Sequence, residues 1–297
     1  MKCLVLSGGV ERGISYLGVL KFLEEKDIIK SIECYIGTSI GSVFATLFSI
    51  GYTYLELEYI IKKINVSDIF LPGELDLNIF LQNYGFLKPE KLMRLIGLLI
   101  SNKIGCENIT FLKHFKLFKK KLIIPGACLN NYTCKYFSYL ETPEMTIQDA
   151  IRISISLPII YEPIVYDEKY YVDGSFYDNF SISFAKKYYN ENDILGCLIS
   201  VQYSQSDKID SLQSYIRQIV RSISVRYDLI TIKEFIHLTI LIICSKMYYD
   251  CKNIETIDEL IQIGYNNSLS YYNQYRHRFP RKIYLNSIHY NSKDISL

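Results

Sequence analysis

Short apolar runs alternate with amphipathic stretches along the first fifty residues. Residues 3–6 form an apolar run that ends at Ser7-Gly8-Gly9, which predicts a buried strand entering a tight turn. Residues 14–26 have helical periodicity, residues 32–36 predict a second strand, and an amphipathic helix follows from Gly37-Thr38-Ser39-Ile40-Gly41. This strand–helix–strand–helix order predicts parallel strands joined by a right-handed crossover.

The rest of the chain continues the mixed pattern. Residues 54–120 predict mostly helices, residues 122–138 a hairpin, and residues 146–157 a helix that ends before Pro158. Further strands are predicted on both sides of Asp167-Glu168-Lys169, the second running into Asp173, and at residues 194–201; residues 209–272 predict helix. Because no repeat or flexible linker interrupts the chain, one α/β domain is predicted.

Composition narrows the classes of function. The chain has 297 residues, 49% hydrophobic and 22% charged, and its net charge of +2 argues against a nucleic-acid partner. No apolar run is long enough to span a membrane; residues 235–244 come nearest and predict a buried helix instead. Only four apolar residues lie between Lys2 and Ser7, so no signal peptide is predicted. An intracellular location, in the cytoplasm or at the periphery of membranes, is expected.

Cysteine and histidine positions argue against disulfides and metal sites. Eight cysteines are scattered without a CxxC pair, which favours reduced thiols, and the four histidines lie far apart. Neither a metal nor another cofactor is therefore expected.

The strongest chemical motif is Gly37-Thr38-Ser39-Ile40-Gly41, a GxSxG pentapeptide. It lies between a predicted strand and an amphipathic helix, where small neighbours permit a sharp turn that presents the serine hydroxyl. The helix N-terminus also favours negative charge near a reacting carbonyl. The alternative is an ordinary glycine-flanked turn. This context favours Ser39 as a nucleophile.

A second glycine-containing loop, Ser7 to Gly13, ends the first predicted strand. It matches neither GxGxxG nor GxxxxGK[ST], which argues against phosphate binding. Backbone N–H groups at Gly8 and Gly9 are instead suited to an oxyanion hole. If the first two strands are parallel neighbours, this loop and Ser39 converge at one edge of the sheet.

A hydroxyl nucleophile needs a base, and Asp173-Gly174-Ser175 offers one at the end of a predicted strand. Its simplest interpretation is a common Asp-Gly turn; the functional one is an aspartate that takes the proton of Ser39 directly. A Ser-His-Asp triad is the competing hypothesis, since His237, His277 and His289 follow Asp173. However, only 36 residues precede Gly37, too few for the strands that usually lie upstream of such an elbow.

These motifs together resemble those of patatin-like phospholipases. The resemblance rests on residues 3–20, on Gly37-Thr38-Ser39-Ile40-Gly41-Ser42, and on Tyr171-Val172-Asp173-Gly174-Ser175 with Asn179 beyond. It implies a three-layer α/β domain with a mainly parallel central sheet, in which residues 1–205 form the catalytic core. Residues 206–275 would be its C-terminal helical part and residues 276–297 a polar basic tail.

The resemblance also implies roles. Ser39 would be the nucleophile and Asp173 the base of a Ser–Asp dyad that hydrolyses acyl esters of lipids without a metal. Gly8, Gly9 and the backbone of Val10 would form the oxyanion hole, with Arg12 holding the loop. The supporting glycines of the three motifs would be Gly13, Gly37, Gly41 and Gly174.

Some residues depart from the family pattern. Val10 stands where a third glycine is usual, and a β-branched residue does not easily adopt positive φ. Glu11 adds negative charge beside an anion site, Ser175 replaces a usual Gly or Ala, and Phe180-Ser181 replaces Asn-x-Pro. None of these changes removes a catalytic side chain.

Substrate details and rival functions stay open. The expected substrate is a phospholipid or another acyl lipid, with transient contact to a membrane surface. Residues 92–100 and the basic residues 275–282 are candidate interfacial segments, for which a core helix and a solvated tail are the simpler interpretations. The rivals are an acyltransferase with the same dyad, a silent lipid-binding protein on the same fold and, more remotely, a nucleotide-binding module. The oligomeric state is not predicted.

Overall fold

A computed structural model describes residues 1–66, 69, 76–201, 209, 211–244 and 254–279. The strands are β1 (Cys3–Leu6), β2 (Cys34–Gly37), β3 (Gly85–Leu87), β4 (Lys121–Cys128), β5 (Thr133–Ser138), β6 (Ile159–Tyr161), β7 (Ile164–Tyr166), β8 (Lys169–Asp173), β9 (Ile194–Val201) and β10 (Thr239–Cys244). The helices are α1 (Ser15–Glu25), α2 (Ile40–Ser49), α3 (Tyr54–Lys63), α4 (Leu77–Asn83), α5 (Glu90–Ile104), α6 (Phe111–Phe118), α7 (Ile147–Ser154), α8 (Ser175–Asp178), α9 (Ile182–Ala185), α10 (Leu212–Phe235) and α11 (Ile254–Gln274).

A central eight-stranded sheet organises the chain. Its order is β10-β9-β1-β2-β4-β8-β7, with β5 paired to β4, and the five strands from β10 to β4 are mutually parallel. The predicted parallel pairing of the first two strands is confirmed, as is the α/β fold class with a mainly parallel sheet.

Both faces of the sheet are covered, which explains why its inner strands are apolar throughout. Leu4 and Leu6 of β1 face one hydrophobic cluster with α1, α2 and α11, whereas Cys3 and Val5 face a second cluster with α9 and the end of α10. A parallel strand buried on both faces shows no polar alternation. The three layers are therefore helices, sheet and helices.

Strands β2 and β8 pair with the same edge of β4, β2 near the start of β4 and β8 near its end. The first residues of β4 pair with β2 in parallel, and Gly126 to Cys128 pair with β8 in antiparallel fashion. Strand β5 occupies the other edge from Ile123 onward, so β2 and β8 share the first edge. Because β2 runs with β4 and β8 runs against it, the carboxyl ends of β2 and β8 approach each other head-on.

Two features of the sheet differ from the sequence predictions. Residues 235–244 do not form a buried helix: Thr239–Cys244 is the edge strand β10, and the predicted helix of residues 209–272 is interrupted there. Strands β3 and β6 also form a small parallel sheet that the sequence did not predict. A short apolar run fits a buried strand as well as a helix, and only the elements that pack against it decide which one forms.

Among the described residues, no helix combines the length and apolarity of a membrane span.

Helices α1 and α11 pack with almost no space between their backbones. A Cβ added at Gly18 would lie 1.9 Å from the carbonyl oxygen of Ile261, and one added at Gly264 would lie 1.9 Å from that of Ser15. Since real Cβ atoms do not come this close to backbone, glycine is needed at both positions for the two helices to meet.

We expect Gly264→Ala to destabilise the protein by about 1–3 kcal/mol, because the new methyl group pushes α11 away from α1. Alanine normally stabilises a helix relative to glycine by roughly 0.5–1 kcal/mol. A loss of stability would therefore indicate the close contact between the two helices. Urea unfolding measures the change, with Ser270→Ala on the exposed side of α11 as the control. A stabilised Gly264→Ala variant would show that the helices are not in contact there.

Candidate active site

The pentapeptide around Ser39 forms the predicted sharp turn between β2 and α2. Ser39 adopts φ 54° and ψ −128°, outside the regions that L-residues prefer, and is 7% exposed. A Cβ at Gly37 would lie 2.2 Å from the carbonyl oxygen of Gly41, and one at Gly41 would lie 2.5 Å from that of Leu6. The two glycines therefore permit the turn to close against β1.

The hydroxyl of Ser39 donates a hydrogen bond to Asp173, with 2.7 Å between Oγ and Oδ2. The head-on approach of β2 and β8 along β4 brings these residues together, although 134 positions separate them. The other carboxylate oxygen accepts the backbone N–H of Ser175 at 2.8 Å. The geometry therefore places a hydrogen-bonded carboxylate within proton-transfer distance of a strained serine.

Asp173 is fully buried, and this burial raises the pKa of its carboxyl group to about 6. Hydrogen bonds from Ser175 and Ser39 oppose the shift, because they stabilise the ionised form. Burial raises the pKa of the Tyr161 phenol in β6, and the charge of Asp173 adds to this rise. A carboxyl group with a pKa near 6 is ionised at neutral pH and is more basic than an exposed aspartate.

Ser154, at the end of α7, holds the backbone of the Ser39 turn in place. The backbone N–H of Ser39 donates to Ser154 Oγ at 3.0 Å, and the Ser154 side chain is fully buried. No sequence motif singled out Ser154. The available signal was a serine on the apolar face of an amphipathic helix, where a buried hydroxyl requires a partner.

The loop after β1 lies beside the Ser39 turn, since Leu6 pairs with Gly37. The backbone N–H of Gly8 donates to Asn179, both to its carbonyl oxygen at 3.3 Å and to Oδ1 at 3.1 Å. Among the hydrogen bonds of the described residues, none uses the backbone N–H of Gly9 or Val10. The N–H of Gly8 is thus engaged within the protein, and those of the next two residues are the available donors.

Val10 adopts φ 52°, the positive region that a β-branched residue disfavours. The sequence indicated that a β-branched residue does not easily adopt this conformation, and the structure nevertheless places Val10 in it. Arg12 stabilises the loop, because its backbone N–H and its Nε both donate to the carbonyl oxygen of Gly9, at 3.2 and 3.1 Å. Its own carbonyl accepts the hydroxyl of Ser15 at 2.7 Å.

The other supporting glycines hold neighbouring elements close to the site. Gly13 lies against Ile40 and Phe44 of α2, and Gly174 lies against the backbone of Pro125 in β4. The structure thus brings together all three motifs that the sequence singled out.

The described histidines lie elsewhere. His114 is buried and shares a 2.8 Å hydrogen bond with Ser49, and burial lowers its pKa to about 4. His237 contacts Glu191 at 3.3 Å near the surface, and the ring of His277 lies near that of Tyr275. None of these three histidines bonds to Ser39 or Asp173, and His289 lies outside the described residues. A triad through the described histidines is therefore excluded by this geometry.

The two candidate interfacial segments have structural roles. Residues 92–100 lie within α5, and five of the nine are buried against the core: Leu92, Ile96, Gly97, Leu99 and Ile100. Of residues 275–282, those up to 279 are described; there Arg278 donates to the carbonyls of Glu191, Ile194 and His237, and Phe279 is buried.

In the part of the chain that the structure describes, no cluster of His, Cys, Asp or Glu is suited to hold a metal ion.

Comparison with known proteins identifies similar chains. Over 191 residues the chain is 36% identical to "Probable lipid hydrolase 463L" of Invertebrate iridescent virus 6, covering 64% of this chain and 65% of the viral protein. It is 33% identical over 184 residues to "Uncharacterized protein R571" of Acanthamoeba polyphaga mimivirus, covering 62% and 61%. The chain thus matches slightly less than two thirds of the length of these relatives.

Solved structures show the same fold at low identity. VipD from Legionella pneumophila superposes with a TM-score of 0.63 and 14% identity, covering 92% of this chain and 67% of VipD. ExoU from Pseudomonas aeruginosa, solved with SpcU, gives a TM-score of 0.56 and 14% identity, covering 95% and 53%. The sequence pattern of the patatin-like phospholipases matches residues 4–186, more than half of the chain. The protein therefore belongs to the patatin-like phospholipase family.

Proposed function

We propose that this protein hydrolyses acyl esters of lipids, with Ser39 as nucleophile and Asp173 as general base. The observation that carries the proposal is the 2.7 Å hydrogen bond from Ser39 Oγ to Asp173 Oδ2 at a strained strand-to-helix turn. A serine hydroxyl is a weak nucleophile unless a base accepts its proton as the new bond forms. Asp173 is the side chain hydrogen-bonded to that hydroxyl.

In the first half of the reaction, Ser39 Oγ attacks the ester carbonyl and its proton passes to Asp173. The carbonyl oxygen becomes an oxyanion, and the backbone N–H groups of Gly9 and Val10 are the donors available to it. Asn179 supports this assignment, because it engages Gly8 N–H and fixes the start of the loop. Preorganised donors stabilise such an anion because they need no rearrangement as the charge develops.

In the second half, Asp173 returns its proton to the departing alkoxide, leaving an acyl ester on Ser39. A water molecule then gives a proton to the ionised Asp173 and attacks the acyl carbonyl. Collapse of that second intermediate releases the fatty acid, and the proton returns to Ser39 Oγ. The steps use two side chains, backbone donors and water, so the reaction needs no metal or cofactor.

The family description and the name of the viral relative support a lipid as substrate. Phospholipids or related acyl lipids are therefore assigned as the substrate class, with cleavage of the phospholipase A or lysophospholipase type. Since such substrates are aggregated in water, the protein must contact a lipid surface transiently during turnover. Nucleic acid is not a partner of this reaction.

Ser39→Ala and Asp173→Asn are each expected to lower fatty-acid release from mixed phospholipid vesicles by more than about 10³-fold, because each removes one member of the reacting pair. Release is measured with chelator present and is expected to be unaffected by it. Matched controls are Ser270→Ala and Asp167→Asn, the latter on the exposed turn between β7 and β8.

Three outcomes of that assay separate the rival functions. Release that Ser39→Ala leaves intact would mean that the site is elsewhere. A wild type that is silent on phospholipid, lysophospholipid and short-chain esters would favour a lipid-binding protein on this fold. An added alcohol that captures the acyl group in preference to water would identify an acyltransferase.

Acid is expected to inactivate the enzyme with an apparent pKa near 6 in kcat/KM. Below that pH the carboxyl group of Asp173 is protonated and cannot accept the proton of Ser39. The measurement is a pH profile on a water-soluble short-chain ester, with far-ultraviolet circular dichroism to confirm that the protein stays folded. A profile that is flat down to about pH 4, the range of an exposed aspartate, would contradict Asp173 as the base.

Burial of Asp173 also predicts how stability depends on pH. The pKa of Asp173 in the folded protein, about 6, lies above the ordinary value of 3.8. The contribution of its carboxyl group to the free energy of unfolding is therefore complete below about pH 4 and is lost as the pH rises through 6. Between these limits the free energy of unfolding of Asp173→Asn should rise relative to wild type by about 2–3 kcal/mol. Urea unfolding at a series of pH values measures this difference. A difference that does not change with pH would show that the carboxyl group is not shifted.

A further inference from the structure

An apolar stretch of surface is connected to the site through the small sheet of β3 and β6. Residues 77–84, here called the 77–84 segment, comprise α4 and the residue after it. Four of its large apolar side chains are exposed: Leu77 at 59%, Ile79 at 43%, Leu81 at 71% and Tyr84 at 68%. No charged residue occurs from position 77 to position 87. Single exposed leucines are common on protein surfaces, but Leu77, Leu81 and Tyr84, at i, i+4 and i+7, lie on one side of the helix and form an uncharged patch, whereas Ile79 lies on the opposite side.

Helix α4 is poorly supported by the rest of the protein. It has seven residues, and none of them is buried. Its clearest packing contact is the stacking of Phe80 on Phe86 of β3, with 4.8 Å between ring centroids. A helix this short is marginal in water without tertiary packing, so a surface that covers its apolar side chains would stabilise it.

The 77–84 segment is joined to the neighbourhood of Asp173 through β3 and β6. It continues into β3, which pairs with β6 through Gly85 and Ile159 and through Leu87 and Tyr161. Three residues before β6, the carbonyl oxygen of Ser156 accepts the backbone N–H of Asp173 at 2.8 Å. A surface that binds the 77–84 segment is therefore held close to the reacting pair.

The neighbouring charges favour an anionic surface. Before the uncharged stretch, Asp76 caps α4 by accepting the backbone N–H of Asn78; after it come Lys88, Glu90, Lys91 and Arg94. Lys88 pairs with Glu162, and Glu90 lies 3.5 Å from Arg152. Lys91 and Arg94 are exposed and form no ion pair with any described residue, which leaves both cations available to anionic headgroups.

Helix α3 provides a useful contrast. Its Leu55 is 70% exposed, almost the same as Leu81, and Tyr59 is also exposed. However, Glu56 and Glu58 lie between them along the chain and form ion pairs with Lys103 and Lys62. Exposed leucines thus occur in two surroundings, one uncharged and next to the site, the other charged.

We propose that the 77–84 segment is the surface by which this protein docks on a lipid bilayer that carries anionic headgroups. Leu77, Leu81 and Tyr84 insert among the acyl chains and headgroups, and Lys91 and Arg94 contact the lipid phosphates and carboxylates. The docked bilayer lies beside β6 and so beside Ser39 and Asp173. This inference rests on the proposed function, because the bilayer is the source of its substrate.

The first test measures binding separately from catalysis. Ser39→Ala protein is sedimented with vesicles of phosphatidylcholine and phosphatidylserine, so that the vesicles are not consumed. Adding Leu81→Gln should weaken binding by about 10-fold or more, since one inserted leucine is lost. Adding Leu55→Gln is the matched control and should leave binding unchanged. Glutamine has nearly the helix propensity of leucine, so neither variant is expected to unfold its helix.

The opposite results would overturn the proposal. Unchanged binding of Leu81→Gln would mean that the 77–84 segment does not enter the bilayer. Equal losses in Leu81→Gln and Leu55→Gln would mean that exposed apolar area in general, and not this surface, drives binding.

The second test concerns charge. The pair Lys91→Gln and Arg94→Gln should weaken binding to vesicles with phosphatidylserine by about 10-fold or more, and should leave binding to pure phosphatidylcholine unchanged. Equal binding of wild type and variant to phosphatidylserine vesicles would overturn the assignment of an anionic surface.

The third test uses the active enzyme and separates the two proposals. With Ser39 intact, Leu81→Gln should lower fatty-acid release from vesicles about 10-fold and leave turnover of a water-soluble short-chain ester unchanged. A loss on both substrates would indicate damage to the site and contradict a docking role. Vesicle binding without any hydrolysis by wild type would refute the proposed function alone. Hydrolysis with unchanged release by Leu81→Gln would refute the docking surface alone.

Discussion

The geometry of the site depends on one edge of strand β4, which pairs with β2 along its first residues and with β8 further on. Because β2 and β8 run in opposite directions along that edge, each delivers the residue at or just beyond its carboxyl end to the same gap. Ser39 and Asp173 meet there at 2.7 Å, and neither needs a long or flexible side chain to reach the other. Proton transfer requires this proximity, so the pairing of three strands underlies the proposed chemistry.

The site is assembled at a local cost that the surrounding core has to offset. Ser39 and Val10 both have positive φ, and such strained residues typically cost about 1–3 kcal/mol each. The buried carboxylate of Asp173 adds the desolvation that raises its pKa. Hydrogen bonds from neighbouring elements hold these groups in place: Ser154 accepts from the Ser39 backbone, and Arg12 donates to the carbonyl of Gly9 in the glycine loop. Strain and burial at one point, with support from several elements, are typical of a preorganised site.

The exposed apolar side chains of the 77–84 segment contrast with the covered core of the sheet. The core of the sheet is covered by helices on both faces, yet α4 leaves its apolar side chains in water. The following strand β3 pairs with β6, which begins three residues after Ser156, the residue whose carbonyl accepts the backbone N–H of Asp173. A helix with no buried residue is thus connected to the site. A lipid surface that covers the 77–84 segment would therefore join substrate supply to a site whose serine is only 7% exposed.

Local patterns in the sequence were sufficient to predict the strands and helices that carry the motifs, because a glycine-flanked serine between an apolar run and an amphipathic stretch has few compatible backbone conformations. They also pointed to Asp173 as a partner, although an Asp-Gly turn has a simpler interpretation. Pairing across distant parts of the chain decided the rest. The contact of Asn179 with Gly8 spans 171 positions and that of Ser154 with Ser39 spans 115, and no local pattern encodes such contacts. Residues 239–244 likewise became a strand because β9 offered an unpaired edge, and an apolar run of that length carries no signal of its own that distinguishes strand from helix.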